Sequence, residues 1–192
     1  FGNNSGVFLV EVTKATPNER FLCKTIVLGG GYGAAALTMQ RSARNLAFSL
    51  DLGADVMAAI DAADWEALKE AYRTQNYAIK ATWYQLTKML QQLMEMEPCD
   101  GEIVWGPLIR MGVDDIGPGL ILPNDLRIYY HNLRWDEEDN NAYYDKVRGR
   151  QTVKTKLYGA KVLENFTQAV AGLTIREQWN KIVRRGRKEF GL

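Results

Sequence analysis

Arg20-Phe21-Leu22-Cys23-Lys24-Thr25-Ile26-Val27-Leu28-Gly29-Gly30-Gly31-Tyr32-Gly33 decides how this chain is read. Just before it, Thr16-Pro17-Asn18-Glu19 offers an N-cap hydroxyl, a proline at the first helical position and a glutamate three residues after the cap, which together make a capping box. The helix it opens runs through Arg20, Lys24 and Leu28 to Gly29-Gly30-Gly31, where residues without Cβ loosen the backbone. Arg20 and Lys24 stand four residues apart, so they leave the helix from one face, and Leu28 and Gly31 continue that face. Two cations at this spacing can hold the phosphates of a nucleotide, while the glycines and the Tyr32 ring let a flat base pair approach the helix end. The other reading of the same residues is an exposed face followed by a helix stop. The run is not a Walker A loop, because no Lys-Ser/Thr follows it, nor a dinucleotide G-x-G-x-x-G placed after a strand.

Outward from this stretch, Ala34 to Leu50 is helical in composition, with Leu37, Ala43, Leu46 and Ala47 available for packing. Ala54 to Tyr72 reads as one or two helices, with Asp64 as an N-cap before Trp65. Tyr77 to Met96 forms another, in which Ile79, Trp83, Leu86, Leu90, Leu93 and Met94 recur at the three- and four-residue spacing of a buried stripe. After Pro98, Glu102 to Met111 and Leu120 to Tyr130 are richer in β-branched and aromatic residues, and Gly112 to Gly119 separates them, so a β-hairpin or small sheet is expected. Asp136 to Asn141 reads as a polar loop, and Thr152 to about Phe190 as helix with a break near Gly172. The fold class is mainly α with a small antiparallel β insertion, an α+β chain. Three regions are expected: a helical region over 1–98, the β insertion over 99–135, and a basic loop with helices over 136–192.

The composition frames these elements. The chain has 192 residues, 46% hydrophobic and 24% charged, with a mean hydropathy of -0.28, which is that of a water-soluble globular chain. No apolar run approaches the roughly 18 residues of a membrane span, and the first residues lack the layout of a signal peptide. A start at Phe1 points to an internal piece or a processed chain. Cys23 and Cys99 have no metal-ligand spacing, and one histidine, His131, leaves no zinc or Cys-His case; both thiols are expected to be reduced in a cytosol-like compartment. The net charge of +1 is not that of a strongly basic nucleic-acid binder. Its distribution is uneven: Lys146, Arg148, Arg150, Lys154, Lys156 and Lys161 follow one another with no acid between them, and Arg184, Arg185, Arg187 and Lys188 form a second cluster. Such segregation fits either a phosphate-binding stripe or solvated faces.

Arg20-x3-Lys24-x7-Tyr32-Gly33 resembles motif B of the family A, DNA polymerase I-like DNA polymerases, and its residues are most similar to the bacteriophage branch. Glu11-Val12-Thr13-Lys14 precedes it in the same manner. Further similar segments follow in order: Tyr72-Arg73 through Ile79 and Trp83, then Leu122-Pro123-Asn124-Asp125-Leu126-Arg127, then Tyr158-Gly159-Ala160-Lys161 through Asn165-Phe166-Thr167-Gln168-Ala169-Val170-Ala171. The resemblance covers almost the whole chain and implies the fingers and part of the palm of a right-hand polymerase fold.

It also implies roles. Arg20 and Lys24 would contact the incoming dNTP, with Tyr32 and Gly33 beside the nascent base pair and Leu28 where many relatives carry an aromatic ring. Gln168 matches a glutamine that reads the primer-template minor groove, and Asn165 assists it. Arg127 stands in a segment that contacts DNA in the family, although Asn124-Asp125-Leu126 replaces the family's small turn, and Lys154 and Lys156 belong to the basic stretch. Gly172-Leu173 departs from the Arg-Asp that often follows Gln-Ala-Val-Ala. The complete enzyme would use Mg2+, but the two aspartate motifs that hold it are missing from this sequence, so no catalytic or metal-binding residue is expected within the chain. The expected activity is template-directed DNA synthesis, completed by polymerase segments in the same or another chain, in the cytoplasm of a bacterial host and away from membranes. The alternative is a non-catalytic DNA-binding protein derived from a polymerase.

Overall fold

The computed structural model describes residues 17–190. Among them the chain forms six helices and seven strands in two small antiparallel sheets, a mixed α+β architecture with more strand than the sequence pattern leads one to expect. It divides into two compact units, Phe1–Thr82 and Trp83–Leu192.

The first unit is helical: α1 (Pro17–Gly31), α2 (Ala36–Ser49), α3 (Ala54–Ala62) and α4 (Trp65–Gln75). Pro17 opens α1 as expected, whereas Thr16, the hydroxyl of the capping box, lies outside the described residues. The core joins Leu22 and Ile26 of α1 to Met39, Ala43 and Ala47 of α2, Ile60 of α3, and Trp65 and Leu68 of α4. Alanines on α2 let its neighbours approach closely, while Leu37 and Leu46, expected to pack, face outward because they lie off the row through Ala36, Met39, Ala43 and Ala47. Asp64 caps α4 as expected, accepting from the Ala67 N–H at 3.0 Å. Trp65 fixes the preceding corner by donating its indole N–H to the Ile60 carbonyl at 2.9 Å.

α5 (Tyr77–Met94) continues into the second unit, where Leu86, Leu90 and Leu93 of the expected stripe are buried together with Met89, while Ile79, Trp83 and Met94 of that stripe are only half-buried. A four-stranded antiparallel sheet follows in the order β1 (Glu102–Trp105), β2 (Ile109–Asp114), β3 (Gly117–Ile121), β4 (Arg127–Tyr129). The expected glycine separator from Gly112 to Gly119 is instead strand on both sides. Gly112 pairs with Gly119, and the chain reverses at Asp115-Ile116 because the Asp114 carboxylate accepts the N–H groups of Ile116 and Gly117 at 2.9 and 3.2 Å.

A second sheet, β5 (Arg134–Asp136), β6 (Asn141–Arg148) and β7 (Gln151–Leu157), replaces the expected basic loop and the first turns of the expected helix. Arg148 pairs with Gln151 across a two-residue turn, Gly149-Arg150, with Gly149 at φ 60, which is the primed hairpin turn that a leading glycine permits. The β-branched Thr152, Val153 and Thr155 then favour strand over helix. The last element, α6 (Gly159–Phe190), is one uninterrupted helix of 32 residues. No break occurs at Gly172, which cost alone does not impose: a helix-interior glycine weakens a helix by only about 1 kcal/mol.

α6 begins backbone against backbone. A Cβ built on Gly159 would lie 1.8 Å from the Trp83 carbonyl oxygen of α5, and the Gly159 N–H donates to Thr87 Oγ1 at 3.1 Å while that hydroxyl donates to the same Trp83 carbonyl at 3.0 Å. From this junction α6 buries Val162 and Phe166 among Leu86, Leu90, Met111, Leu120, Tyr130, Ala142, Tyr144 and Leu157. Among the described residues, no helix is long and apolar enough to cross a membrane.

Two predictions follow from this packing. Gly159→Ala should destabilise the protein by about 3 kcal/mol or more, since the added methyl meets backbone that cannot rotate away. Gly172→Ala, where an added Cβ meets nothing within 4 Å, should instead raise stability by up to about 1 kcal/mol, as chemical denaturation of the two variants would record. Three aspartates of the second unit are held below the usual range. Burial pushes Asp114 up, but the Ile116 N–H, the Tyr129 hydroxyl, the Gly117 N–H and Arg127 outweigh it. Lys154 and the Asp139 N–H lower Asp136, and Asn132 and Arg134 lower Asp145. Groups depressed in the folded state stabilise it above their ordinary values and lose that contribution as the pH falls through the folded ones, so the melting temperature should drop below about pH 4. Asp114→Asn should flatten that drop, in melting curves collected across the acid range.

Candidate nucleotide and nucleic-acid sites

The first candidate site lies on the outer face of α1. Helical spacing sends Leu22 and Ile26 into the core at 4% and 6% exposure, and that choice turns Arg20, Lys24 and Leu28 outward, Leu28 at 53%. The row is therefore assembled as the spacing predicts: two exposed cations one turn apart, about 6 Å along the axis, and an exposed leucine one turn beyond them. Tyr32, half-buried, follows at the helix end.

The glycine run does more than loosen that end. α1 continues through Gly31, and then the Gly33 N–H donates to the Gly30 carbonyl at 3.1 Å and the Ala34 N–H to the Gly29 carbonyl at 3.0 Å. With Gly33 at φ 76, this is a Schellman stop, and it places Tyr32 at the C-cap. Gly29 and Gly30 are notches filled from within the unit: a Cβ on Gly29 would meet Met39 Cγ at 2.7 Å, and one on Gly30 would meet Tyr72 Cδ1 at 2.7 Å. The bare surface expected for a base pair is thus narrower than three glycines, since Met39 and Tyr72 occupy part of it. Gly31, whose Cβ would reach only the Tyr72 hydroxyl at 3.2 Å, is the most open of the three. Tyr72 and Arg73, noted in the sequence for a separate similarity, prove to support the same helix end, because Arg73 donates to the Ala34 carbonyl at 3.3 Å.

The second candidate site is a groove of about 580 Å³ in the second unit, between β4, β6 and α6. Asn165 and Gln168, one turn apart on α6, share it with Tyr129, His131, Tyr144 and Lys146. Asn165 is oriented by donating to the Tyr130 hydroxyl at 3.3 Å, and Tyr130 is wholly buried and meets Tyr144 edge to face at 5.3 Å. Burial raises the Tyr130 phenol far above its ordinary value, so this anchor stays neutral. Gln168 is exposed and donates to Glu164 at 3.2 Å, a partly covered carboxylate whose other oxygen accepts from Lys161 at 2.7 Å. His131, read as part of a strand, lies just past the end of β4 and stacks on Tyr129 at 5.9 Å.

The other expected contacts lie elsewhere. Arg127 is engaged with Asp114 at 3.3 Å, and its Nη1 is buried without a hydrogen-bond partner among the described residues. Lys154 reaches Asp136 at 2.7 Å and lies over the Tyr143 ring at 4.2 Å. Lys156 is exposed and pairs in register with Tyr143, so both lysines stand on the sheet face opposite Ala142 and Tyr144, and neither lines the groove of Gln168. The cation that lines the groove is Lys146, with Arg148 two residues on along the same strand, and sequence reading grouped both with the rest. Counting alternate residues from the apolar Ala142 would have separated the two faces.

Asp114, Asp136 and Asp145 are committed to turn N–H groups, Lys154 and Arg134, and no group of three His, Cys, Asp or Glu side chains converges among the described residues.

The three glycines separate by effect. Gly30→Ala should destabilise by about 1 to 2 kcal/mol, the clash with Tyr72 exceeding the helix-propensity gain, whereas Gly31→Ala should be neutral or stabilising by up to about 1 kcal/mol. Denaturant midpoints of the two variants check this. Comparison with protein-family models, with curated proteins and with solved structures finds no match to this chain.

Proposed function

We propose that this chain is the nucleotide-binding fingers portion, with the adjoining primer-template surface, of a phage-type family A DNA-directed DNA polymerase. The observation that carries the reading is the exposed row Arg20, Lys24, Leu28 leading to Tyr32, held in place by a buried row on the other side of the same helix. A row of two cations suits a triphosphate: each makes charge-assisted hydrogen bonds to phosphate oxygens, and their one-turn offset addresses neighbouring phosphates. Leu28 offers an apolar contact to sugar or base without stacking, and Tyr32, at the C-cap, closes the row beside the base pair. Gln168 supports the same reading from the second unit, since an amide carries both donors and an acceptor and meets the N3 and O2 acceptors that every base pair presents in the minor groove.

In this proposal the chain supplies binding and alignment, and the carboxylates for the metal-assisted transfer come from polymerase segments other than these residues. Its own contribution is to hold the triphosphate and the duplex edge in a fixed geometry, which lowers the entropic part of the barrier.

Lys24→Ala tests the reading. In the polymerase assembled with its carboxylate-bearing segments, kcat/KM for dNTP should fall by about a hundredfold or more, the scale of losing one partner of a close charge pair. The melting temperature should stay within about 2 °C, because Lys24 is exposed. Unchanged nucleotide dependence in primer extension would overturn the assignment.

A further inference from the structure

The β6–β7 ribbon reaches beyond the sheet that holds it. β5 pairs with Asn141 to Tyr143 of β6, and the Asp145 N–H still donates to the His131 carbonyl at 2.8 Å, so the hairpin is left two-stranded from Lys146 to Arg148, about 10 Å of bare ribbon at about 3.4 Å per residue. The register divides its cations by face. Ala142 and Tyr144 are buried against the core, and two-residue alternation carries Lys146 and Arg148 out along that same side, while Arg150 sits in the turn. Lys146 already lines the groove of Asn165 and Gln168. Lys146, Arg148 and Arg150 are all exposed and make no ion pair among the described residues, in contrast to Lys154 with Asp136 and Lys161 with Glu164.

We infer that this ribbon is a backbone grip for duplex DNA, in which Lys146, Arg148 and Arg150 meet the phosphates flanking the duplex edge that faces Gln168. The inference rests on the DNA-binding reading above and assigns residues which that reading does not use. Lys146 and Arg148, about 6.8 Å apart on one side of the strand, and Arg150 at the turn form a short linear array. A regular polyanion satisfies such an array along its whole length, whereas a single acidic side chain of a protein partner satisfies one member. Continuity with the groove places the array beside the amide that would read base-pair edges, so one duplex can occupy both. Phosphate contacts of this kind position the duplex without reading its sequence.

The test uses the full chain and a fluorescently labelled DNA duplex of mixed sequence, with affinity measured by anisotropy over a series of salt concentrations. Each phosphate contact adds about 0.9 to the slope of log affinity against log salt. The triple variant Lys146→Gln, Arg148→Gln, Arg150→Gln should therefore lose about 2 to 3 from that slope and bind at least about tenfold more weakly, equally for different sequences. Gln168→Ala should weaken binding with the slope retained. A triple variant that keeps the wild-type slope overturns the grip, including the case in which it merely aggregates, which would make the cations guards of an open strand edge. An equal loss for an A-form RNA duplex in place of DNA overturns the assignment to DNA. If the wild-type chain binds no duplex, the DNA-binding reading itself fails; if it binds, responds to Gln168→Ala and ignores the ribbon, the ribbon inference alone fails.

Discussion

The second unit depends on the contact between Gly159 and the Trp83 carbonyl. Only a residue without a side chain lets the start of α6 lie against the backbone of α5, and the Thr87 hydroxyl then satisfies the Gly159 N–H that helix initiation leaves unpaired. Fixing that point fixes the rotation of α6. Val162 and Phe166 fall into the core, Asn165 reaches the buried Tyr130 hydroxyl, and Gln168 emerges one turn later at the groove. A shift of α6 by one residue would turn these side chains through about 100° and dissolve the groove. The position of a surface amide is thus decided nine residues earlier by a backbone contact.

The first unit solves a different problem with the same residue type. A row of cations and an exposed leucine contributes little to stability, so α1 must be held by its opposite face and by its end. Leu22 and Ile26 provide the first hold, and the Schellman stop at Gly33 with the Met39 and Tyr72 contacts provides the second. The glycines therefore serve packing and helix termination. Gly31 alone remains open enough to serve a ligand without disturbing the unit.

How much of this was legible in the sequence varied with the kind of signal. Asp64, the stripe on α5 and the single exposed face of α1 were readable, because capping and the helical period are local. The strands from Asn141 to Leu157 were not, because their alternation is masked by charge: Lys and Arg on both faces of a ribbon that outruns its core look like a polar loop or a basic helix. Val147, Val153 and Thr155 with a Gly-Arg turn were the available counter-signal. Gly112 and Gly119 misled in the opposite sense, since glycines that face each other across two strands resemble a loop when read singly. Which cations flank Gln168 required register, and register is set by the turn at Gly149.

The most direct test of the account is to locate nucleotide binding on α1. Isotope-labelled protein would be titrated with a dNTP in the presence of primer-template DNA while backbone amide shifts are followed. The account predicts that the largest dNTP-dependent changes cluster at Arg20, Lys24, Leu28 and Tyr32 and disappear in Lys24→Ala. Changes absent from α1, or centred on the second unit instead, would contradict it.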